Sequence, residues 1–372
     1  MRQHGSDALK ALGRGSTVFK PLGARGGFLT SIGLIILLEI WAFAQGYNAL
    51  DLLVSGLALG ALYAVVALGY TMVYGIIELI NFAHGDVFAV GAFASLTIMG
   101  WMDSSMVNLG SYQPGQHTVH LVGLSFHVDM MWLVIWTIAV SMVLAALFCG
   151  LLGVIIERLA YRPLRNAPRL APLITAIGVS FIIENILFQW RGGTIISYPT
   201  VMPVNSTTQA GAIVRNIEIF VIVSAVILMA LLDRFVNQTK LGKAMRAVAQ
   251  DREAALMMGI NVDRIISLTF FVGSALAGAG SVIYGMFFTS IGSNMGFSIG
   301  LFAFTAAVLG GIGNIRGAML GGLLIGIIKR FVDQLGSGAG TEWADAAVFA
   351  ILILILVFRP SGLLGSQVPE KV

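Results

Sequence analysis

Four residues with the chemistry for metal binding or proton transfer lie close together in one apolar stretch. They are Glu78, Asn81, His84 and Asp86, within the largely apolar segment 74–93. Such a group could bind a metal ion, relay protons, or form a polar turn where the chain reverses. In a helix Glu78, Asn81 and His84 would share an arc of roughly 120°, with Asp86 well outside it. One histidine with carboxylates at this spacing is a poor metal site, so we predict none here.

The composition determines which elements must position these residues. The chain has 372 residues, of which 57% are hydrophobic and 11% are charged, whereas soluble proteins carry about 25% charged residues. Its outer surface must therefore face lipid. At roughly 20 apolar residues per crossing, the length allows about ten transmembrane helices. We predict an all-α polytopic membrane protein.

The sequence lacks the motifs of a nucleotide-binding or cofactor-dependent enzyme. Lys243 follows Gly242 but is itself followed by Ala244, and no phosphate-cradling glycine precedes the pair. The glycines in the run 310–313 do not have dinucleotide-binding spacing. The single cysteine, Cys149, excludes an intrachain disulfide and a cysteine metal cage. We expect no catalytic residue and no cofactor.

Ten apolar runs define the predicted helices. They cover residues 28–44, 51–76, 86–101, 131–156, 171–190, 218–232, 265–288, 299–313, 317–335 and 343–359. If the N terminus is cytoplasmic, all but four of the 22 lysine and arginine residues fall on or near the cytoplasmic side. The exceptions are Arg191, Arg215, Lys329 and Arg330. Because cytoplasmic loops are enriched in basic residues, we predict both termini in the cytoplasm.

The segment 102–130 contains no lysine or arginine and is predicted to lie outside. It carries His117, His120, His127 and Asp129, which could hold zinc. We favour a solvated polar loop, because these residues lack a tetrahedral ligand spacing.

The chain divides into three predicted parts. Residues 1–27 form a basic cytoplasmic extension, residues 28–360 the transmembrane domain, and residues 361–372 a cytoplasmic tail. The sequence 42–44 resembles a signal-peptidase site. The leader is long, however, and Glu39 interrupts its apolar stretch, so we expect a retained first helix.

Glycines four residues apart predict close helix packing. The pairs are Gly56/Gly60, Gly317/Gly321 and Gly322/Gly326.

The predicted cytoplasmic loop 233–264 contains a further helix. The segment from Lys240 to Met258 is rich in helix-forming residues, and Gly259 is placed as a helix stop. The segment is too short to cross a membrane and too apolar to stand alone in water. We predict either an interfacial amphipathic helix or a helix presented to a cytoplasmic partner. The pattern Glu253-Ala254-Ala255 followed by Gly259 resembles the EAA loop of permease subunits of ATP-binding-cassette importers.

Three stretches together resemble one family within that group. They are the run 80–85 followed by Asp86, the loop 243–270, and the segment 306–322. They occur in the order found in the permeases of high-affinity branched-chain amino-acid importers, and the resemblance covers roughly residues 50–360. The first stretch occurs more loosely in urea permeases. The long extension 1–27 and the long segment 102–130 depart from the family pattern.

The resemblance implies a type II importer permease with ten helices, like the vitamin B12 and ribose permeases. Such a subunit pairs with a second, homologous permease in the bacterial cytoplasmic membrane. Two ATPase subunits bind it from the cytoplasm, a periplasmic binding protein delivers the substrate, and no nucleic acid takes part. By this resemblance, Glu253, Ala254, Ala255 and Gly259 belong to the loop that couples ATP hydrolysis to the pore.

A branched-chain amino acid is a zwitterion with an apolar side chain. A pathway for it needs hydroxyl groups, helix ends and apolar walls rather than strong charges. Candidates are Ser55, Tyr63 and Thr71 on the second helix, and Thr175 and Ser180 on the fifth. All five could instead serve packing between helices.

Two other functions remain open for this sequence. An importer of urea or short amides would share the architecture. A proton-coupled secondary transporter could use Glu78, His84 and Asp86 as a relay. Glu39 and Glu184 lie near the ends of their runs, which disfavours the relay.

The predicted topology places the opening cluster at the cytoplasmic end of the second helix. We therefore predict that Asn81, His84, Gly85 and Asp86 form a structural hinge near the inner mouth of the pore. Asn81 and His84 would bond backbone groups that the bend leaves unpaired. On this interpretation the cluster does not bind the substrate.

Overall fold

The computed structural model describes residues 24–44, 46–105, 116–121, 124–165, 167–168, 170–200, 206–209, 212–334, 340–358 and 361–365. Most of the predicted N-terminal extension and C-terminal tail lie outside these ranges. Within them the chain forms twelve α-helices. The helices are α1 (Ala24–Ala44), α2 (Ala49–Ile77), α3 (His84–Ser105), α4 (Met130–Ile156), α5 (Leu170–Arg191), α6 (Asn216–Gln238), α7 (Lys240–Gln250), α8 (Arg252–Met257), α9 (Val262–Phe288), α10 (Met295–Gly310), α11 (Ile315–Gln334) and α12 (Gly340–Phe358). A π-helical turn, Glu157–Tyr161, and a 3-10 turn, Arg162–Leu164, follow α4.

Each of the ten predicted apolar runs folds as a helix, and α7 and α8 occupy the predicted loop. By length and composition, α2, α3, α4, α5, α6 and α9 can cross a membrane. Shorter apolar helical stretches cover Ser31–Ile40, Met295–Gly310 and Trp343–Phe358. The sequence of α11 contains Arg316, Lys329, Arg330 and Asp333. The described chain is therefore a mostly helical membrane protein.

Short strands accompany the helices, so the expectation of an all-α chain was incomplete. The strands are β1 (Gln116–Leu121), β2 (Leu124–Asp129), β3 (Ile196–Ser197), β4 (Ser206–Gln209), β5 (Ala212–Arg215) and β6 (Ser290–Ile291). They pair antiparallel as β1 with β2, β3 with β6, and β4 with β5. All lie in connections between helices, where pairing satisfies backbone groups that the helices leave unsatisfied.

Helix α2 forms the centre of the bundle. Of the residues in its apolar 18-residue stretch, 83% are buried. It packs antiparallel to α11 through glycine: a Cβ added to Gly60 would lie 2.7 Å from the Cα of Leu323, and one added to Gly56 would lie 2.9 Å from the Cα of Ile327. The predicted close packing at these glycines is confirmed.

Helices α4, α5 and α6 lie on the outside of the bundle. In the apolar 18-residue stretches of these three helices, only 33%, 28% and 28% of the residues are buried, respectively. Their exposed side chains are mainly large and apolar, including Phe148, Ile182 and Ile227. Such a surface is suited to lipid or to another membrane subunit, and not to water.

The two ends of the bundle differ in composition. At one end, which we call the basic end, Arg252 donates to the carbonyl of Ile76 at 3.2 Å, and Arg246 donates to the carbonyl of Val236 at 2.7 Å. Further basic residues at this end are Arg158, Arg162, Arg165, Arg234, Lys240, Lys243, Arg264 and Arg316. The opposite end, the tryptophan end, carries the exposed rings of Trp101, Trp132, Trp136, Trp190 and Trp343.

The connection between α2 and α3 turns back into the bundle. Helix α2 ends at Ile77, and Glu78 adopts a left-handed conformation with φ 56°. The chain then runs back along α2 to His84, whose ring packs against Gly69. Because Gly69 lies eight residues before the end of α2, α3 begins about 12 Å inside the bundle. His84, Gly85 and Asp86 therefore lie inside the bundle and not at its end, and their predicted role as a hinge stays a prediction.

Candidate functional site

The turn between α2 and α3 brings Asp86 to the middle of α5. Asp86 is buried, and its Oδ2 accepts a hydrogen bond from the hydroxyl of Ser180, halfway along α5. Its Oδ1 faces Gly296 of α10 and has no hydrogen-bond partner in the described part of the chain. A buried carboxylate oxygen without a donor retains its capacity to accept one. A residue predicted for the hinge and one predicted for the pathway therefore meet inside the bundle.

His84 and Gly85 fix the start of α3 by close packing. The His84 ring is fully buried, and its centroid lies 4.8 Å from that of Tyr70, nearly edge-on at 67°. A Cβ added to Gly85 would lie 2.8 Å from the Cα of Gly300. The start of α3 is thus held tightly between α2 and α10.

The predicted hydrogen bonds of the hinge differ from those in the structure. Asn81 was expected to bond backbone groups, but its Oδ1 accepts a hydrogen bond from the hydroxyl of Tyr161 at 3.0 Å. The two ring nitrogens of His84 have no partner that meets standard geometry in the described part of the chain. The backbone carbonyl of Asn81 instead accepts from the His84 amide at 3.1 Å, which begins α3. Within the described residues, the observed side-chain bond of Asn81 is therefore to Tyr161, and the observed bond between Asn81 and His84 is made by their backbones.

The three candidates on α2 do not form one site. Ser55 lies near the tryptophan end, where its hydroxyl accepts from Arg330 Nε at 2.9 Å. The ring of Tyr63 packs 5.4 Å from Phe302 of α10. Thr71 lies near the basic end, beside a cavity of about 80 Å³ between α2, α7 and the α10–α11 turn. Because α2 is central, these side chains contact three different neighbours.

The two candidates on α5 differ in their partners. Thr175 is half-buried, and its hydroxyl donates to the Ala171 carbonyl of its own helix at 2.9 Å. Ser180 is buried and makes the interhelical bond to Asp86. Of these two residues, only Ser180 joins α5 to the rest of the bundle through its side chain.

Removing the Ser180 hydroxyl should therefore destabilise the protein. We expect Ser180→Ala to lower the free energy of unfolding by about 1–3 kcal/mol, because it leaves the buried Asp86 carboxylate without its donor. Thermal unfolding of the purified protein measures the change. Thr175→Val is the matched control, since its bond lies within one helix and should cost little. Equal unfolding temperatures for Ser180→Ala and the wild type would refute the importance of this bond.

The predicted helix 240–258 is broken in the structure. Asp251 separates α7 from α8, and its carboxylate caps α8 by accepting from the amides of Glu253 at 2.9 Å and Ala254 at 3.0 Å. Aspartate is a strong helix-capping residue, so here it starts a second helix instead of continuing the first. Gly259 follows with φ 78°, a left-handed conformation that ends α8. The helix stop predicted at Gly259 is confirmed.

Helix α8 exposes an apolar tip at the basic end. Ala255 is buried against the bundle and Ala254 is half-buried. Met257 and Met258 are 83% and 81% exposed, and Leu256 and Glu253 are also exposed. A pair of methionines this exposed, beside basic residues, is suited to an apolar groove on another protein. We call residues 256–258 the methionine tip.

A cavity of about 460 Å³ separates α8 from the α2–α3 turn. Its walls include the apolar side chains of Ile76, Tyr161 and Phe270, and its polar side includes Arg165 and Arg252. The cavity therefore lies between α8 and the turn that leads to α3.

One buried charged group was missed by the sequence analysis. Glu157 is fully buried, forms an ion pair with Arg165, and accepts from the Ser267 hydroxyl at 2.6 Å. It directly follows the predicted apolar run 131–156, and no sequence motif singles it out. The eight-residue separation from Arg165 matches no helical pairing rule, so no local signal indicated the pair.

Among the described residues, no three histidine, cysteine, aspartate or glutamate side chains are placed to hold a metal ion. The backbone of His117, His120 and His127 lies in the β1–β2 hairpin.

Comparisons with known proteins agree on one family. A family model described as branched-chain amino acid transport system / permease component matches residues 52–356. The BraD permease protein of Pseudomonas aeruginosa, named for high-affinity branched-chain amino acid transport, is 40% identical over 88% of this chain and 99% of its own. The similarly named LivH of Escherichia coli K12 is 38% identical over 86% and 96%, respectively. A probable LivM permease of Methanocaldococcus jannaschii is 25% identical over 62% and 69%.

Proposed function

The chain belongs to the permease component family of branched-chain amino acid transport systems, and on this premise we propose that it forms half of the pore of an ATP-driven importer. The match over residues 52–356 carries the proposal, since it spans every helix from α3 to α11 and most of α2 and α12. The cargo we propose is a branched-chain amino acid. The names of the relatives support this cargo over urea. The resemblance of residues 253–259 to the EAA loop supports an ATP-driven system over proton coupling.

We propose that the ten helices other than α7 and α8 traverse or enter the membrane in the type II arrangement. The ends of the bundle support an orientation. A concentration of arginine and lysine marks a cytoplasmic surface, so the basic end would face the cytoplasm and the tryptophan end the periplasm. The same orientation would agree with the predicted cytoplasmic location of both termini.

The methionine tip is the proposed docking site for an ATPase subunit. It lies at the basic end and projects from a helix capped by Asp251 and ended by Gly259. Glu253, Ala254, Ala255 and Gly259 would form the coupling loop, with Ala255 anchoring it to the bundle. ATP would then be hydrolysed on the partner and not on this chain.

The proposed pathway runs along α5 and the start of α3. Helix α5 is poorly buried, and its exposed face carries Asn185 and Gln189 among large apolar side chains. Amide groups are unfavourable against lipid, which supports a second permease subunit covering this face. The similarity to both LivH and LivM proteins supports a homologous partner. Ser180 and Asp86 would then lie close to the path between the subunits.

Co-purification tests the proposed function. The chain should be expressed with the permease, ATPase and binding-protein genes adjacent to its own, purified as a complex, and reconstituted in nanodiscs. We expect ATP hydrolysis to rise when the binding protein is supplied with leucine, isoleucine or valine, and not with urea. Stimulation by urea alone, or a permease that transports leucine without any ATPase, would contradict the proposal.

The backbone at Gly259 gives a sharper test of the coupling loop. No atom of the described residues lies within 4 Å of a Cβ added there, so a side chain has space but must adopt φ 78°. Valine in this conformation costs about 1–2 kcal/mol, whereas asparagine tolerates it. We expect Gly259→Val to reduce leucine uptake severalfold and Gly259→Asn to retain most of it, in vesicles containing equal amounts of protein. Equal uptake by the two variants would show that this conformation is not needed for coupling.

A further inference from the structure

A buried network lies where α4 ends. Glu157 begins the π-helical turn and is 0% exposed. One of its carboxylate oxygens pairs with Arg165, and the other accepts from Ser267 of α9. A buried charge is tolerated when its oxygens are paired in this way. π-turns occur frequently at functional positions. Helix packing alone requires neither this π-turn nor a buried, paired carboxylate, so the network indicates a further role.

Arg165 connects Glu157 to the segment that follows α8. Its guanidinium also contacts Asp263, in the first turn of α9. Only residues 258–261 separate α8 from α9, and the Ile260 amide donates to the Ala255 carbonyl at 3.0 Å. This short, hydrogen-bonded connection means that a displacement of α8 also displaces Asp263.

Tyr161 connects the same π-turn to the α2–α3 turn. Its hydroxyl donates to Asn81 Oδ1 at 3.0 Å, and the Ile80 carbonyl lies 3.4 Å away. Its ring is 2% exposed and packs 5.2 Å from the ring of Phe270 in α9. Tyr161 therefore contacts both the helix that follows α8 and the turn that precedes Asp86.

A second link reaches the same turn directly. The Arg252 guanidinium, at the start of α8, donates to the Ile76 carbonyl at 3.2 Å. Ile76 and Asn81 lie on either side of the left-handed residue Glu78. Two separate connections thus run from the α8 region to residues 76–81.

We infer that Glu157, Arg165 and Tyr161 are positioning residues that transmit movement of α8 to the α2–α3 turn, and thereby to Asp86. This inference rests on the proposed function, in which an ATPase moves α8. The three residues need not touch the substrate. Arg162 pairs with Asp263 from an exposed position and contacts no buried acid, so it is not part of this relay.

The test removes one hydroxyl and keeps the packing. Tyr161→Phe retains the ring against Phe270 but loses the hydrogen bond to Asn81. In the complete reconstituted complex we expect ATP hydrolysis within about twofold of wild type and leucine uptake per ATP hydrolysed lower by about 2- to 30-fold. The decisive measurement is the amount of leucine transported per ATP hydrolysed, which a loss of folded protein alone would not change.

Tyr198→Phe is the matched control. Tyr198 is also a buried tyrosine with a side-chain hydrogen bond, at 2.8 Å from Ser95 Oγ of α3, but it lies toward the tryptophan end. We expect this variant to keep the wild-type transport ratio. A second variant, Asn81→Ala, removes the acceptor instead of the donor. If the two residues act through one bond, the double variant should transport no worse than the poorer single variant.

A cysteine label follows the movement itself. The single native cysteine, Cys149, is buried, so a cysteine introduced at Leu79 can report on the turn with little background. We expect ATP and vanadate to change its labelling rate with a charged maleimide in the wild-type background. The change should disappear with Tyr161→Phe, while a cysteine introduced at Met257 still responds.

Two results would overturn the relay. One is a wild-type transport ratio in Tyr161→Phe, and the other is an unchanged nucleotide response at residue 79. If Tyr161→Phe does not fold, Asn81→Ala with the same two readouts decides. A wild-type complex that neither transports leucine nor responds to it would refute the proposed function itself, and the relay with it.

Discussion

Replacing Gly60 with valine is expected to prevent the formation of a stable bundle. A Cβ at this position would lie 2.7 Å from both the Cα and the carbonyl oxygen of Leu323, and 2.9 Å from the carbonyl oxygen of Gly322. These are backbone atoms, so α2 and α11 would have to separate. Overpacking typically costs 1–3 kcal/mol, and a backbone clash at the central helix should cost about 3 kcal/mol or more. The yield of monodisperse protein and its thermal unfolding temperature measure the effect.

Gly178→Val provides the control for this substitution. Gly178 lies on the exposed α5, and no atom is found within 4 Å of an added Cβ. The same side chain should therefore have little effect there, although both glycines are in membrane helices. A Gly60→Val protein that unfolds at the wild-type temperature would show that the tight α2–α11 contact is not needed for stability.

Placing two carboxylates on the methionine tip is expected to abolish transport. Met257→Asp with Met258→Asp replaces the two most exposed residues of the methionine tip with charges that an apolar groove cannot accommodate. We expect the ATPase subunit to be lost on purification and leucine uptake to fall by about 100-fold, as when a central hot-spot contact of roughly 2–4 kcal/mol is removed. Co-purification and uptake in the same membranes measure the two effects.

Met257→Leu with Met258→Leu is the matched control. It keeps the apolar surface and nearly the same volume, so we expect the complex to remain intact. Both methionines are solvent-exposed, and neither pair of substitutions should alter the fold of the permease. Normal ATPase binding by the aspartate variant would mean that the partner docks elsewhere on the basic end.

The positions of the helices could be predicted because lipid demands long apolar runs, and such runs are visible in a single sequence. The break at Asp251 was less visible. The segment from Lys240 to Met258 has helical composition throughout, and only the capping geometry of Asp251 shows that two helices are present. The short strands were missed for a related reason. Their pairing satisfies local backbone groups in polar connections and leaves a weak pattern in the side chains.

The residues of the site could be selected from the sequence, but their arrangement could not. Asp86 and Ser180 are separated by 94 positions, and their contact depends on how far α3 begins inside the bundle. That depth follows from the packing of glycines such as Gly69 and Gly85, which the polar pattern does not reveal. Glu157 and Tyr161 were missed because a π-turn directs them inward, where a regular helix would follow a different periodicity.

The distance between the tryptophan end and the basic end is close to the thickness of a typical bilayer core. From Trp136 to Arg158, α4 and its π-turn rise by about 33 Å, close to the roughly 30 Å of a typical hydrocarbon core. Both residues are exposed, so an interfacial ring and a charge would anchor the two surfaces. In a thinner membrane α4 would have to tilt, a hydrophobic mismatch. The tilt would then act on the π-turn that holds Glu157. We therefore expect the rate of transport to depend on the acyl-chain length of the lipid.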